Sequence, residues 1–342
     1  MKFNSTYKRL TEGLMLLKPK FLLQNFANLE QQEYKLNDDG TVDLYDDFQT
    51  PIQFFLNGKL LVKFNETRSF TLGDNTEKEL RTKNSSLVTT FEGCPNKVKG
   101  TFKCVNEGIT NCEFFPKEII GPIYCYGNKL TSLKGLPEKV GSLSLFDNNI
   151  TTLKDGPKIV NGGFWVRSNK LTNLIGCPEF DFITIKASQC PVVDFSFNQL
   201  TTLEGCTPTI VNCEKFLISD NNLTNLKHFP QIKNSDLCII SCSNNNLTTL
   251  EGCPEEINCK EFIISNNSLL TSFVGCPKVV KAIFNCNNLN GIKSLDGFPK
   301  EIYGMVILPY SVMKFFTKIG DKLEAEKNLR KICKIDGLVY FN

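Results

Sequence analysis

The chain has 342 residues, enough for two ordinary domains or one elongated array. It is 41% hydrophobic and 22% charged, which excludes wholesale disorder. A net charge of +3, from 39 basic and 36 acidic residues without a basic run, gives no footprint for nucleic acid, and no apolar stretch is long enough for a membrane span.

In chain order, Phe3, Tyr7, Leu10, Leu14 and Leu17 recur at helical spacing, and Pro19 limits that helix. The opening MKFNSTYKRLTEGLMLLK is basic, but Glu12 and Gly13 interrupt its short apolar stretch and no small-residue cleavage site follows. A secretory signal is therefore not expected. A second apolar run over residues 21–29 precedes EYKLNDDGTVDLYDDF, which predicts a hairpin turning at Asp39-Gly40. Together these make an N-terminal cap of helices plus hairpin over residues 1–68. Phe70 and Leu72 then begin a degenerate first rung, followed by the polar insertion GDNTEKELRTKNSS.

From there the chain repeats itself. LVTTFEGCP starts at Leu87, LTSLKGLP at Leu130, LTNLIGCP at Leu171, LTTLEGCTP at Leu200 and LTTLEGCP at Leu247. Related copies start at Ile109, Ile150, Leu223, Leu269 and Ile292, with steps mostly of 20 to 24 residues. Such a period predicts a solenoid of about nine to ten repeats over residues 69–309. Within one copy, Phe216 and Ile218 share a strand face, Asn221 turns the chain, and Leu223 follows. That is the leucine-rich-repeat spacing. The short strands predict a parallel sheet on a concave face, and the asparagine amide is placed to satisfy the turn and the neighbouring rung. The proline of Gly-Cys-Pro disfavours a regular helix on the return side, so extended or short 3₁₀ segments are expected there. The fold class is thus a leucine-rich-repeat solenoid dominated by strand and loop, with helical caps at both ends.

Fifteen cysteines, an odd number without any CxxC pair, recur at fixed repeat positions. Cys104, Cys125 and Cys242 take the inward strand position; Cys94, Cys177, Cys206, Cys253 and Cys276 take the Gly-Cys-Pro position. Packing in a reducing compartment explains them better than disulfides, and the single His228 and the spacings do not suit a zinc site. Residues 310–342 predict a C-terminal cap. Asp321 and Glu324 form a capping pair, Leu323, Leu329 and Ile332 a buried stripe, and GLVYF a last strand.

The pattern LTSLxGCPxxVxGxFxCxxN, preceded by DGTVDL and closed by a charged helix and short strand, resembles the leucine-rich-repeat proteins of large, T-even-like tailed bacteriophages. The resemblance covers roughly residues 35 to 342 and carries no catalytic motif to transfer. The first residues, MKFNSTYKRLTEG, are similar to the capsid-targeting peptides of proteins packaged in such phage heads. That likeness implies a processing site at Leu10, Thr11, Glu12 and Gly13, with cleavage after Glu12; a plain cap helix is the competing reading. Virion or host cytoplasm is the implied location.

The outward rung positions carry the expected function. They read Tyr124 and Tyr126, then Ser144, Phe146 and Asp147, then Trp165, Arg167 and Ser168, then Asp194, Ser196 and Phe197. Later rungs change to Leu217, Ser219 and Asp220, then Ser241, Ser243 and Asn244, then Ile263, Ser265 and Asn266. Aromatics beside an arginine have the composition of a protein-binding hot spot, here Tyr124, Tyr126, Phe146, Trp165, Arg167 and Phe197. Cover by a cap or by the insertion near residues 180 to 190 is the alternative. No Ser-His-Asp order, phosphate-cradling glycine loop or matched carboxylate pair is present, so no enzyme, cofactor or metal is expected. The expected role is a binding module for a phage or host protein, with a carbohydrate as the second class of partner. A virion structural or packaged protein is the rival role.

Overall fold

The computed structural model describes residues 33–50, 55–56, 59–60, 62–72, 88–182, 191–234, 236–318 and 320–342, together with Leu23, Gln24, Ala27 and Leu29. The expected N-terminal helix over residues 3–17, the polar insertion over residues 73–86 and the processing site at residues 10–13 lie outside them. The chain folds as two compact units, residues 1–150 with 154–157, and residues 151–153 with 158–342. Each is a parallel β-solenoid.

In the first unit Tyr34–Leu36 pairs antiparallel with Val42–Leu44. Gly40 takes φ +80°, and the Asp39 carboxylate accepts the Thr41 N–H at 3.0 Å and its hydroxyl at 2.7 Å. The Asp-Gly turn therefore forms where the sequence places it. Two parallel ladders follow. One joins Val42–Leu44, Phe64–Thr67, Lys97–Val98 and Glu118–Ile119. The other, the main sheet, joins Phe48–Gln49, Phe70–Thr71, Phe102–Lys103, Ile123–Tyr124 and Leu143–Ser144. Each repeat supplies one short strand to each ladder and bends between them at Gly100, Gly121 or Gly141. A Cβ on Gly121 would fall on the carbonyl oxygen of Gly100, so the close stacking of bends requires glycine there.

The second unit repeats the scheme. Its main sheet runs through Phe164–Trp165, Val192–Asp194, Lys215–Leu217, Ile239–Ser241, Glu256–Ile263, Val279–Asn285, Val306–Leu308 and Val339–Phe341. Where Ala282 replaces the bend glycine, the two short strands fuse into the single strand Val279–Asn285. The return side is extended, as expected, and its extended segments also pair. Val or Ile after Gly-Cys-Pro enters a second parallel ladder, as in Thr209–Val211 with Gln231–Lys233.

Three columns of side chains explain the repeat consensus. Inward residues are sealed off from solvent: Phe164, Phe216, Phe262 and Phe284 are 0% exposed, and Phe262 and Phe284 stack at 5.7 Å. Full burial of each such side chain contributes about 1.5–3 kcal/mol. The consensus asparagine forms a ladder. Asn221 Nδ2 donates to the carbonyls of Phe195, Ile218 and Ser219 at 3.0–3.2 Å, while its Oδ1 accepts the Leu200 N–H at 3.0 Å. Asn148, Asn198, Asn245 and Asn267 repeat this arrangement. At the third position of Leu-Thr-x-Leu, Asn173, Thr202 and Asn225 each accept the N–H two residues on, at 3.0–3.1 Å. That turn bond selects Thr, Ser or Asn there.

The parallel stacking extends past both ends of the predicted array. It begins before residue 69, at Val42–Leu44 and Phe48–Gln49, and continues beyond residue 309 through Val339–Phe341. The first rung escaped notice because Thr50 takes an inward position that leucine fills elsewhere; it is 1% exposed. At the far end helix α1 (Lys322–Ile332) has Asp321 as N-cap, accepting from Leu323 N at 2.9 Å and Glu324 N at 3.4 Å. Glu324 does not reach back to complete a capping box; its carboxylate accepts the Thr317 hydroxyl at 2.6 Å. The predicted stripe needs correction. Ala325 and Leu329 are buried, whereas Leu323 is 79% and Ile332 54% exposed. Residues six apart on a helix lie about 120° from one another, so Leu323 and Leu329 cannot share one stripe.

Candidate functional site

The first unit groups Tyr124, Tyr126 and Phe146 on the outward face of its main sheet. Tyr124 pairs with Ser144 in register, which sets Tyr126 against Phe146 two residues later. Their rings stack at 4.2 Å with planes 10° apart. Adjacent parallel strands are separated by about 4.8 Å, so aromatics repeated in one column come to stacking distance without further adjustment. All three side chains are half-buried. Ser144 is 4% exposed and so offers little outward contact.

The second unit carries Trp165, Arg167 and Phe197. Phe164 and Val166 are 0% exposed, so Trp165 and Arg167 point outward from the same rung. The Trp165 indole folds back flat over Gly163, two residues earlier on the same face. A Cβ at Gly163 would collide with the outer ring carbons of that indole. Gly163 is therefore a positioning residue that the sequence reading missed, although the doublet GGFW carried its signal. In the next rung Asp194 stands beside Trp165 in register and is 6% exposed. Its Oδ1 accepts the Ser196 N–H at 3.0 Å, so this carboxylate holds the strand end.

Phe197 differs from its column. Ser168, Asp220, Asn244, Asn266 and Asn288 occupy the same place in neighbouring rungs, all with φ between 53° and 58°. Short polar side chains tolerate this left-handed backbone; an aromatic one does not benefit from it. Phe197 nevertheless adopts φ 55° and leaves 54% of its surface exposed. Further along, the face becomes a hydroxyl network. Ser219 and Ser241 Oγ atoms lie 2.7 Å apart, and Ser243 joins them at 3.0 and 3.1 Å. These two rungs thus carry hydroxyls where the earlier ones carry aromatics, beside the half-buried Leu217.

Cys104, Cys125 and Cys242 are buried in the core, and burial pushes each thiol well up from its ordinary value. All described cysteines are free, and among the described residues no group of His, Cys, Asp and Glu could hold a metal ion. His228 lies exposed on a turn with φ 66°. Glu107 replaces the ladder asparagine in one rung of the first unit. It is 4% exposed, and its Oε2 accepts the Val88 N–H at 3.2 Å. Among the described residues no helix is long and apolar enough to cross a membrane. No protein family, curated protein or solved structure matches the chain.

Proposed function

We propose that this chain is a non-enzymatic binding module, a leucine-rich-repeat solenoid of the phage type that presents outward aromatics to a protein partner. Phe197 carries the reading. An aromatic side chain more than half exposed, on a backbone conformation its neighbours satisfy with Asn, Asp or Ser, costs stability and solubility together. An exposed aromatic at such a cost, in line with other outward aromatics, fits a contact surface. The flat indole of Trp165 and the Tyr126–Phe146 stack add rigid aromatic area, which loses little side-chain entropy on binding.

The test is affinity capture from infected or expressing cells with the parent chain and with Trp165→Ala/Tyr124→Ala. Proteins retained by the parent should be lost from the double variant while its circular dichroism is unchanged. Equal retention would move the contact to the serine-rich rungs or the return side. A glycan panel run beside it distinguishes a carbohydrate partner, since the same aromatic faces suit sugar rings.

The second reading is a virion component, packaged or capsid-associated, and Leu10-Thr11-Glu12 before Gly13 favours it. Intact-mass measurement of the protein from purified particles should give an N-terminus at Gly13. An unprocessed chain in the particles removes the processing site, and absence from the particles removes the virion role.

A further inference from the structure

The last rung of the second unit is closed by charge. Lys334 and Asp336 donate their N–H groups to Lys300 O at 2.8 Å and Ile302 O at 3.0 Å. In a strand, alternate residues direct their backbone polar groups to opposite sides, so Ile335 and Gly337 face away from the stack. In the same way Val306 N–H donates to Leu338 O and Asn342 N–H to Leu308 O, both at 2.9 Å. Val339 and Phe341 therefore also face away. A row of carbonyls at 335, 337, 339 and 341 then forms the terminal edge, the kind of edge that recruits another strand.

Helix α1 meets that row with cations. The Arg330 guanidinium donates to Ile335 O through Nη1 and to Gly337 O through Nη2, the latter at 2.8 Å. Lys322 Nζ donates to Phe341 O at 3.1 Å. Glu326 holds Arg330 in place, accepting from Nε at 2.9 Å and Nη2 at 2.8 Å. Apolar packing does not account for this position, because α1 buries only Ala325 and Leu329. Around the edge, Leu338 is 61% and Tyr340 46% exposed, so an open strand here would offer both hydrogen bonds and apolar surface.

We propose that α1 is an edge guard: Arg330 and Lys322 occupy three of the four outward carbonyls of the final rung, those of Ile335, Gly337 and Phe341, and so prevent a strand from a second copy of this chain adding to it. Displacing the helix would open that edge to strand addition by a second copy.

The test compares the parent chain with Arg330→Met/Lys322→Met and with Glu326→Ala. Methionine keeps the apolar stems and removes both charges. Sedimentation velocity over a concentration series should show the weight-average mass of the double variant rising about twofold or more where the parent is constant, as pairing of two copies requires. Glu326→Ala, which frees Arg330 without touching Ala325 or Leu329, should rise in the same direction by less. Leu203→Ala, a core change remote from the edge with a comparable loss in Tm, serves as control and should not associate below its Tm. A folded double variant whose mass matches the parent at every concentration overturns the proposal. If the double variant does not fold, Glu326→Ala decides by the same criterion.

Discussion

At Phe197 the backbone takes φ 55°, a region that costs a non-glycine residue about 1–2 kcal/mol. Asparagine fills that place in neighbouring rungs, so Phe197→Asn should stabilise the chain by about 1 kcal/mol in urea denaturation while weakening partner capture. A loss of stability would mean that the ring packs more than its 54% exposure implies. Gly163 allows an optical test, because Trp165 is the only tryptophan. Gly163→Ala should lift the indole off the strand and shift its fluorescence emission to the red, with the far-ultraviolet spectrum retained. An unshifted emission maximum would show that the indole does not depend on Gly163. That Trp165 faces outward was legible from Asn169 and Leu171, which set the register. That the indole lies down on Gly163 was not, because side-chain torsion angles leave no trace in the spacing.

At the level of single elements, α1 separates pattern from packing. Leu323, Leu329 and Ile332 look alike in sequence, but only Leu329 is buried. Leu329→Ala should cost about 2–4 kcal/mol and Leu323→Ala less than about 0.5 kcal/mol, read as separate shifts in denaturation midpoint. Similar costs for the two would contradict the 79% exposure of Leu323. The strands were legible for a different reason. Period-two alternation, the ladder asparagine and the Leu-Thr-x-Leu turn all point to the same register, and the structure places Phe216, Ile218 and Asn221 accordingly. Extended backbone on the return side was legible, since proline in Gly-Cys-Pro argued against a regular helix there; its pairing into a second ladder was not, because spacing alone does not show which extended segments pair. Proline ends before the ladder begins: Pro208 precedes Thr209–Val211, and its carbonyl accepts the Gln231 N–H at 2.9 Å. Only the one missing donor is lost, and the following residues pair normally.

For the molecule as a whole, cysteine used as packing material predicts how stability depends on pH. Burial pushes the Cys112 thiol of the first unit up to about 12, from an ordinary 9.0. Burial, aided by Cys238 nearby, does the same for Cys259 of the second unit, also to about 12. Between those two values the folded chain keeps a proton that the unfolded chain releases. The stabilisation is therefore complete below the ordinary thiol value and is lost as pH rises toward the raised one. Each such thiol removes about 1.4 kcal/mol per pH unit within that window. Exposed pairs such as Lys278–Glu255, at 2.7 Å, contribute little to the slope because solvent screens them. Urea denaturation at a series of pH values from about 8 to about 11 should give a steadily falling unfolding free energy, and Cys112→Ala should make the fall shallower by about one thiol's slope. An identical slope in Cys112→Ala would show that this thiol ionises equally in both states, and hence that its packing is looser than its 1% exposure indicates. A core built from free thiols is stable where thiols stay protonated and reduced, so the repeat that makes the rungs stack also sets the chemical conditions under which they hold.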